Sequence, residues 1–163
     1  EVDPENRLLG RFPERRLSAE EVNDSLLAVS RRLKAGMGEA NGNRAVYNRV
    51  GHLFSSLVMN LFDSPATGTI AASRSESTTA PQALFMMNDE AAIVASQAMA
   101  EYLVVETDSV RGQIEKAYQI LYGRDPSALE VSSGVGYLTE VEAEKQWTYF
   151  QVLMCSNEFM YVD

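Results

Sequence analysis

The sequence is poor in the residues from which most self-contained catalytic and metal sites are built. It holds one histidine, His52, and one cysteine, Cys155, in 163 residues. A lone cysteine excludes an intrachain disulfide. A single histidine excludes a His-pair metal site, and no Cys/His cluster has zinc-ligand spacing. No CxxCH haem-attachment motif occurs. No apolar run approaches the roughly 18–20 residues that a membrane span needs. The chain starts at Glu1, without a Met or a signal peptide, so it reads as a fragment whose targeting segment lies elsewhere. Basic residues are scarce as well: 14 Lys and Arg stand against 23 Asp and Glu, for a net charge of −9. That balance repels a polyanion, which argues against nucleic acid as a partner. Arg11, Arg15 and Arg16 cluster, but Glu14, Glu20 and Glu21 dilute them, and the segment reads as a solvated helix entrance.

What is present is a chain able to fold. Hydrophobic residues make up 45% and charged residues 23%, enough for one core without disulfide staples and too apolar for wholesale disorder. Ser18 with Glu21 forms a capping-box pattern. Val22, Leu26, Val29 and Leu33 then recur at helical spacing until Gly36 and Gly38. Residues 39–44 are turn chemistry, and residues 45–50 lean towards an extended segment. Leu53, Leu57 and Leu61, with Phe54, Val58 and Phe62, give residues 52–62 a broad apolar helical face. Residues 63–80 lose all periodicity, and a structureless stretch of that length in a compact domain is usually functional or disordered.

A long helix is expected to open at Thr79, with Pro81 in its first turn and Gln82 at the capping-box position. Its buried stripe is read as Leu84, Met87, Ala91, Val94, Ala98 and Tyr102, flanked by Phe85, Ala95 and Leu103. Residues 111–122 form another helix, stopped by Gly123. Ser127 with Glu130 opens a further one, weakened by Gly134 and Gly136. A last helix is expected from Ala143 to Met160, with Trp147, Phe150, Met154 and Asn157 on one face. No strand pair is convincing. The fold class expected is all-α: a single domain over residues 1–163, an irregular bundle of five to seven helices with a long irregular crossover loop near residues 63–80.

Several of these punctuation marks lie in runs that carry a family likeness. In chain order they are residues 3–12 (DPENRLLGRF), 15–33 (RRLSAEEVNDSLLAVSRRL), 77–88 (STTAPQALFMMN), 117–130 (AYQILYGRDPSALE) and 155–163 (CSNEFMYVD). Together they resemble the C-terminal domain of unknown function found in planctomycete cytochrome-associated proteins. The resemblance implies a C-terminal module of a larger, exported protein, secreted or periplasmic. Such proteins often carry a second domain of unknown function and a c-type cytochrome domain upstream. It implies no activity for the module and no cofactor within this fragment, since any haem would sit on an upstream region. This chain has Tyr47-Asn48-Arg49-Val50 where the family has a Pro-containing segment, and Cys155 where it has an Asn.

Two groups of residues are the sequence-level candidates for binding. Arg74, Ser75, Ser77, Thr78 and Thr79, with Gln82, lead into a helix start, where free N–H groups and the macrodipole attract anions. Arg74 has the fork geometry to clamp a carboxylate or phosphate. The structural alternative is that Thr79 only caps the helix and Arg74 pairs with an acid such as Asp63 or Glu76. Arg44, Tyr47 and Arg49 form the second group, able to stack on a sugar or to pair with a carboxylate. A salt bridge to the acidic surface is the alternative there. No catalytic residue is assigned: His52 lacks a hydrolase setting, Cys155 reads as an inert buried thiol, and no pair of carboxylates stands in a recognisable acid–base arrangement.

The role expected is therefore non-catalytic: an interaction or scaffold module whose partners are upstream domains of the same polypeptide, or a glycan or other anionic ligand. The alternatives are a composite enzyme site completed by a missing upstream domain and a docking surface for a cytochrome domain.

Overall fold

The computed structural model of the chain describes residues 7, 8, 10, 12, 14–34, 44–45, 61–63, 77 and 79–162. The expected extended segment over 46–50, most of the helix over 52–62, His52 and the crossover over 64–76 lie outside the described residues.

The chain is all-α, an irregular bundle. Its described helices are α1 (Ala19–Val29), α2 (Ala80–Asn88), α3 (Glu90–Glu106), α4 (Val110–Tyr122), α5 (Ala128–Glu140), α6 (Trp147–Met154) and α7 (Asn157–Met160), with a 3-10 turn at Ala143–Lys145 before α6. The reading of no strand pair needs one correction. Arg15–Arg16 (β1) and Tyr161–Val162 (β2) pair antiparallel, Arg15 opposite Val162 and Arg16 opposite Tyr161. The Leu17 N–H donates to the Met160 carbonyl at 2.8 Å and extends the clasp. A two-residue ladder lacks the length and periodicity from which sequence patterns call a strand.

Local chemistry sets most of the helix boundaries. Ser18 and Glu21 form the expected capping box, as do Ser127 and Glu130. Gly123 closes α4 in the left-handed conformation at φ 69°, where a side chain is unfavourable. The end of α1 differs from expectation. It stops at Ser30, with Arg31 at φ 56°. Arg31 N–H bonds to the Ala28 carbonyl and Arg32 N–H to the Leu27 carbonyl, the paired bonds of a Schellman cap. An arginine takes the position usually given to glycine. It gains a partner there: its guanidinium lies 4.6 Å from the Tyr102 ring centre, and Nη2 donates to the Tyr102 hydroxyl at 3.1 Å. Leu33 is consequently outside the helix.

The long helix expected from Thr79 is two helices. Asp89 adopts φ −75°, ψ 141°, and so ends α2 and caps α3, its side chain accepting from the Ala91 N–H. The buried stripe is shifted onto its expected flank of Phe85, Ala95 and Leu103. Phe85 and Met86 are buried on α2, and Ala92, Ala95, Ser96, Met99 and Leu103 on α3, while Leu84 and Met87 face solvent. Both helices are apolar nearly all round, so period alone does not choose the inward face. The last expected helix is likewise broken. Ser156 caps α7 by accepting from the Phe159 N–H, and Asn157 is exposed.

The core lies on α3. Its buried face packs most extensively on α6, whose Phe150, Leu153 and Met154 are also buried. α1, with Val22 and Leu26 buried, also packs on α3, and α4 lies against α5. Burying each large side chain such as Phe150, Met99 or Leu103 contributes roughly 1.5–3 kcal/mol. Gly134 on α5 is needed for close approach: a Cβ there would overlap the Tyr149 hydroxyl and lie 2.8 Å from Ile114 Cδ1.

Candidate functional site

The start of α2 is where the sequence places its main binding candidates, and among the described residues Gln82 is engaged there. Gln82 is buried. Its side-chain N–H groups donate to the Leu61 carbonyl at 2.8 Å and the Ser77 carbonyl at 3.1 Å, and its Oε1 accepts from the Thr79 N–H at 3.1 Å. One amide thus ties the 61–63 turn, the approach to α2 and the first turn of α2 together. Thr79 sits at the N-cap position in an extended conformation. Arg74 and Thr78 lie outside the described residues.

Beside this amide, Asp63 stands at φ 58°. Its carboxylate accepts from the Ser77 N–H at 2.7 Å, from the Ser77 hydroxyl at 2.8 Å and from Arg16 Nη2 at 3.0 Å. Burial pushes the carboxyl pKa up. The Ser77 backbone N–H, the Ser77 hydroxyl and Arg16 together outweigh that and hold it below its ordinary value. A carboxylate kept ionised and fully hydrogen-bonded is a weak general base. The set Arg16–Asp63–Ser77–Gln82 joins β1 to α2. Arg16 is the member that sequence reading missed, because a dilute Arg/Glu run reads as solvated surface. No sequence signal separates the two arginines: Arg16 is buried and Arg15 exposed on a strand too short to show a period.

In the second sequence group, Arg44 Nε lies 3.3 Å from Asp24 Oδ2, and the neighbouring Ala45 N–H donates to Asp24 Oδ1 at 2.6 Å. Arg44 is thus joined to α1. Tyr47 and Arg49 lie outside the described residues, so neither group is seen converging on a single pocket.

Among the described residues the densest polar constellation lies elsewhere. Arg124 follows the C-cap of α4 and binds two carboxylates in fork fashion. Its Nη1 and Nη2 donate to Glu130 at 3.0 and 2.8 Å, and its Nη2 and Nε donate to Glu158, the Nη2 bond being 2.8 Å. It also lies over the rings of Tyr118 and Tyr122 at 5.2 and 5.6 Å. The Tyr122 hydroxyl donates to the Leu153 carbonyl at 2.9 Å and lies 3.0 Å from Ser156 Oγ. Two of the runs that carry the family likeness, 117–130 and 155–163, therefore meet at this hub. The Arg124 bonds hold the Glu130 carboxyl down at about 2, and the same carboxylates push the guanidinium pKa up. Burial pushes the Tyr122 hydroxyl up to about 12 and raises Tyr118 and Tyr149 as well. All of these shifts favour fixed protonation near neutrality, which suits a structural tie better than proton transfer.

Cys155 is half-buried, and burial raises its thiol pKa, the opposite of an activated nucleophile. Among the described residues no group of three or more His, Cys, Asp or Glu is placed to hold a metal ion, and no described helix is long and apolar enough to cross a membrane.

No curated protein and no solved structure matches the chain. A family model does, over residues 1–138, and it covers both the α2 entrance and the Arg124–Glu130 half of the hub. The chain belongs to the family PSD1, proteins of unknown function (DUF1553).

Proposed function

We propose that this chain is a non-catalytic interaction module of a larger secreted or periplasmic protein, and that it docks against other domains of the same polypeptide. The observation that carries this reading is a pair of uncharged helices that leave large apolar side chains exposed. Neither α2 (APQALFMMN) nor α6 (WTYFQVLM) contains a charged residue, in a chain of which 23% is charged. The two helices pack together. Gln151 on α6 donates to the carbonyls of Met86 and Met87 on α2. On these helices Leu84, Met87 and Val152 remain 56%, 57% and 67% exposed. Depletion of charge around exposed large apolar side chains marks the centre of an interface rather than ordinary surface. The strongly perturbed ionisable groups, by contrast, are engaged in ties between or within elements.

The test expresses the chain and the remainder of its polypeptide as separate molecules and measures their association. Association that is lost in Leu84→Asp and Met87→Asp, with helical circular dichroism unchanged, supports the reading. No association, or association indifferent to both changes, ends it.

A ligand role at the α2 entrance is the narrower part of the reading. Gln82 hydrogen-bonds to Leu61, Ser77 and Thr79, and Arg44 Nε lies 3.3 Å from Asp24 with its side chain 54% exposed; the role involves Arg74, Thr78, Thr79 and Gln82, with Arg44, Tyr47 and Arg49 as the second group. Its check is binding of acidic and neutral glycans by the full-length protein with and without Arg74→Ala, and unchanged binding in the variant removes it.

A further inference from the structure

The N-terminal strand carries a cation that the fold buries without satisfying. Arg16 is 7% exposed. Its Nη2 donates to Asp63 Oδ2 at 3.0 Å and, at a longer 3.4 Å, to the Phe62 carbonyl. The guanidinium also lies 5.3 Å from the centre of the Phe62 ring. Nε and Nη1 are closed off from solvent and, among the described residues, hydrogen-bond to nothing. A buried donor on a charged group that lacks an acceptor retains most of its desolvation penalty. No ligand follows from this, because neither nitrogen has open space beside it. What the shortfall favours is a state in which water reaches both nitrogens, and that state requires β1 to move away.

The neighbours of β1 keep local partners of their own. Asp63 keeps its bonds from the Ser77 N–H and hydroxyl when Arg16 leaves. α1 keeps its start, because Ser18 and Glu21 cap it locally. Arg15 bonds to Glu21 on the adjoining helix at 2.7 Å through a long side chain that is 43% exposed. The contacts that must break include the two-residue ladder to Tyr161 and Val162, the Leu17 bond to Met160, the burial of Leu17, the Arg16–Asp63 ion pair and the Arg16 contacts with the Phe62 carbonyl and ring.

We infer that Arg15–Leu17 is a strap that opens ahead of the helical core, released by hydration of the Arg16 guanidinium, and that it lets the two paired ends of the domain part while α3 to α6 stay folded. This goes beyond the docking role, since it concerns the opposite contacts of the fold and holds whether or not α2 and α6 bind a partner. Local openings of this kind are drawn from the least stabilised segments of a native structure.

Hydrogen exchange followed by mass spectrometry on the folded chain tests it. Peptides reporting Leu17 and Tyr161–Val162 are expected to exchange roughly tenfold or more faster than those from α3, once corrected for intrinsic rates. Arg16→Met keeps an unbranched side chain and removes the unsatisfied donors, so it should slow strap exchange and leave α3 unchanged. Asp63→Asn weakens the one ionic partner and should speed strap exchange. Strap and α3 exchanging at the same rate in the unaltered chain would overturn the inference, as would unchanged or faster strap exchange in Arg16→Met. If Arg16→Met does not fold, the unaltered chain and Asp63→Asn still decide.

Discussion

At the scale of single residues, two glycines on one helix make opposite demands. Gly134 and Gly136 both weaken α5 by intrinsic propensity, and alanine in place of either would be worth about 1 kcal/mol on that ground alone. Their surroundings reverse the sign for one of them. A methyl group at Gly134 would overlap the Tyr149 hydroxyl and crowd Ile114, and overpacking of that kind destabilises by about 1–3 kcal/mol. A methyl group at Gly136 meets nothing within 4 Å. Gly134→Ala is expected to lower the urea midpoint and Gly136→Ala to raise it, with unchanged denaturant slopes in both. A midpoint raised in both variants would show that Tyr149 yields freely. Sequence reading treats the two glycines alike, as helix weakeners. Nothing in the linear order says that Tyr149, far along the chain, lies against one and not the other.

At the scale of elements, capping side chains were the most legible feature. Ser18 with Glu21 and Ser127 with Glu130 act within one turn, so their bonds form wherever the helix goes. The breaks were less legible because each competes with a continuous helical pattern. Asp89 interrupts the run from α2 to α3 by accepting from the Ala91 N–H at 2.9 Å, and Ser156 interrupts the run from α6 to α7 in the same way. Both residues are good caps in the sequence, but a cap inside an apolar run becomes a break only when the flanking helices pack in different directions. Asp89→Ala removes the cap and should cost about 1 kcal/mol in chemical denaturation. A gain in stability would mean that the kink is imposed by packing against the preference of this residue. Arg31 shows the same competition at a helix end. Its cap bonds could have been made by any residue able to reach φ > 0, and the Tyr102 ring stacked on its guanidinium offsets part of the strain of that conformation.

At the scale of the whole molecule, ion pairs tie distant segments together, and this makes stability depend on acid. Glu21 and Glu130 each have carboxyl pKa values lowered from an ordinary 4.5 to about 2, by bonds from Arg15 and Arg124 respectively, and Asp63 is lowered too. Groups whose folded-state pKa is depressed bind fewer protons folded than unfolded. Their contribution is therefore fully present above about pH 4.5 and lost as the pH falls towards about 2. Glu21 is 40% exposed, so its share is weakened by solvent and salt. The Tm is expected to fall through that window, and Glu130→Gln should flatten the fall while lowering the Tm near neutrality. A Glu130→Gln profile parallel to the unaltered one would deny the Arg124 hub its part in acid sensitivity. By itself the sequence determined the all-helical class, most helix starts, the glycine stop after α4 and the poverty of His and Cys, because composition, period and capping act over a few residues. Tertiary structure alone decided which face of α2 and α3 turns inward, that Arg16 is buried against Asp63, that Arg124 gathers Glu130 and Glu158, and that the two ends pair. Each of those depends on contacts between segments far apart in the chain, and chain order carries no distance for them.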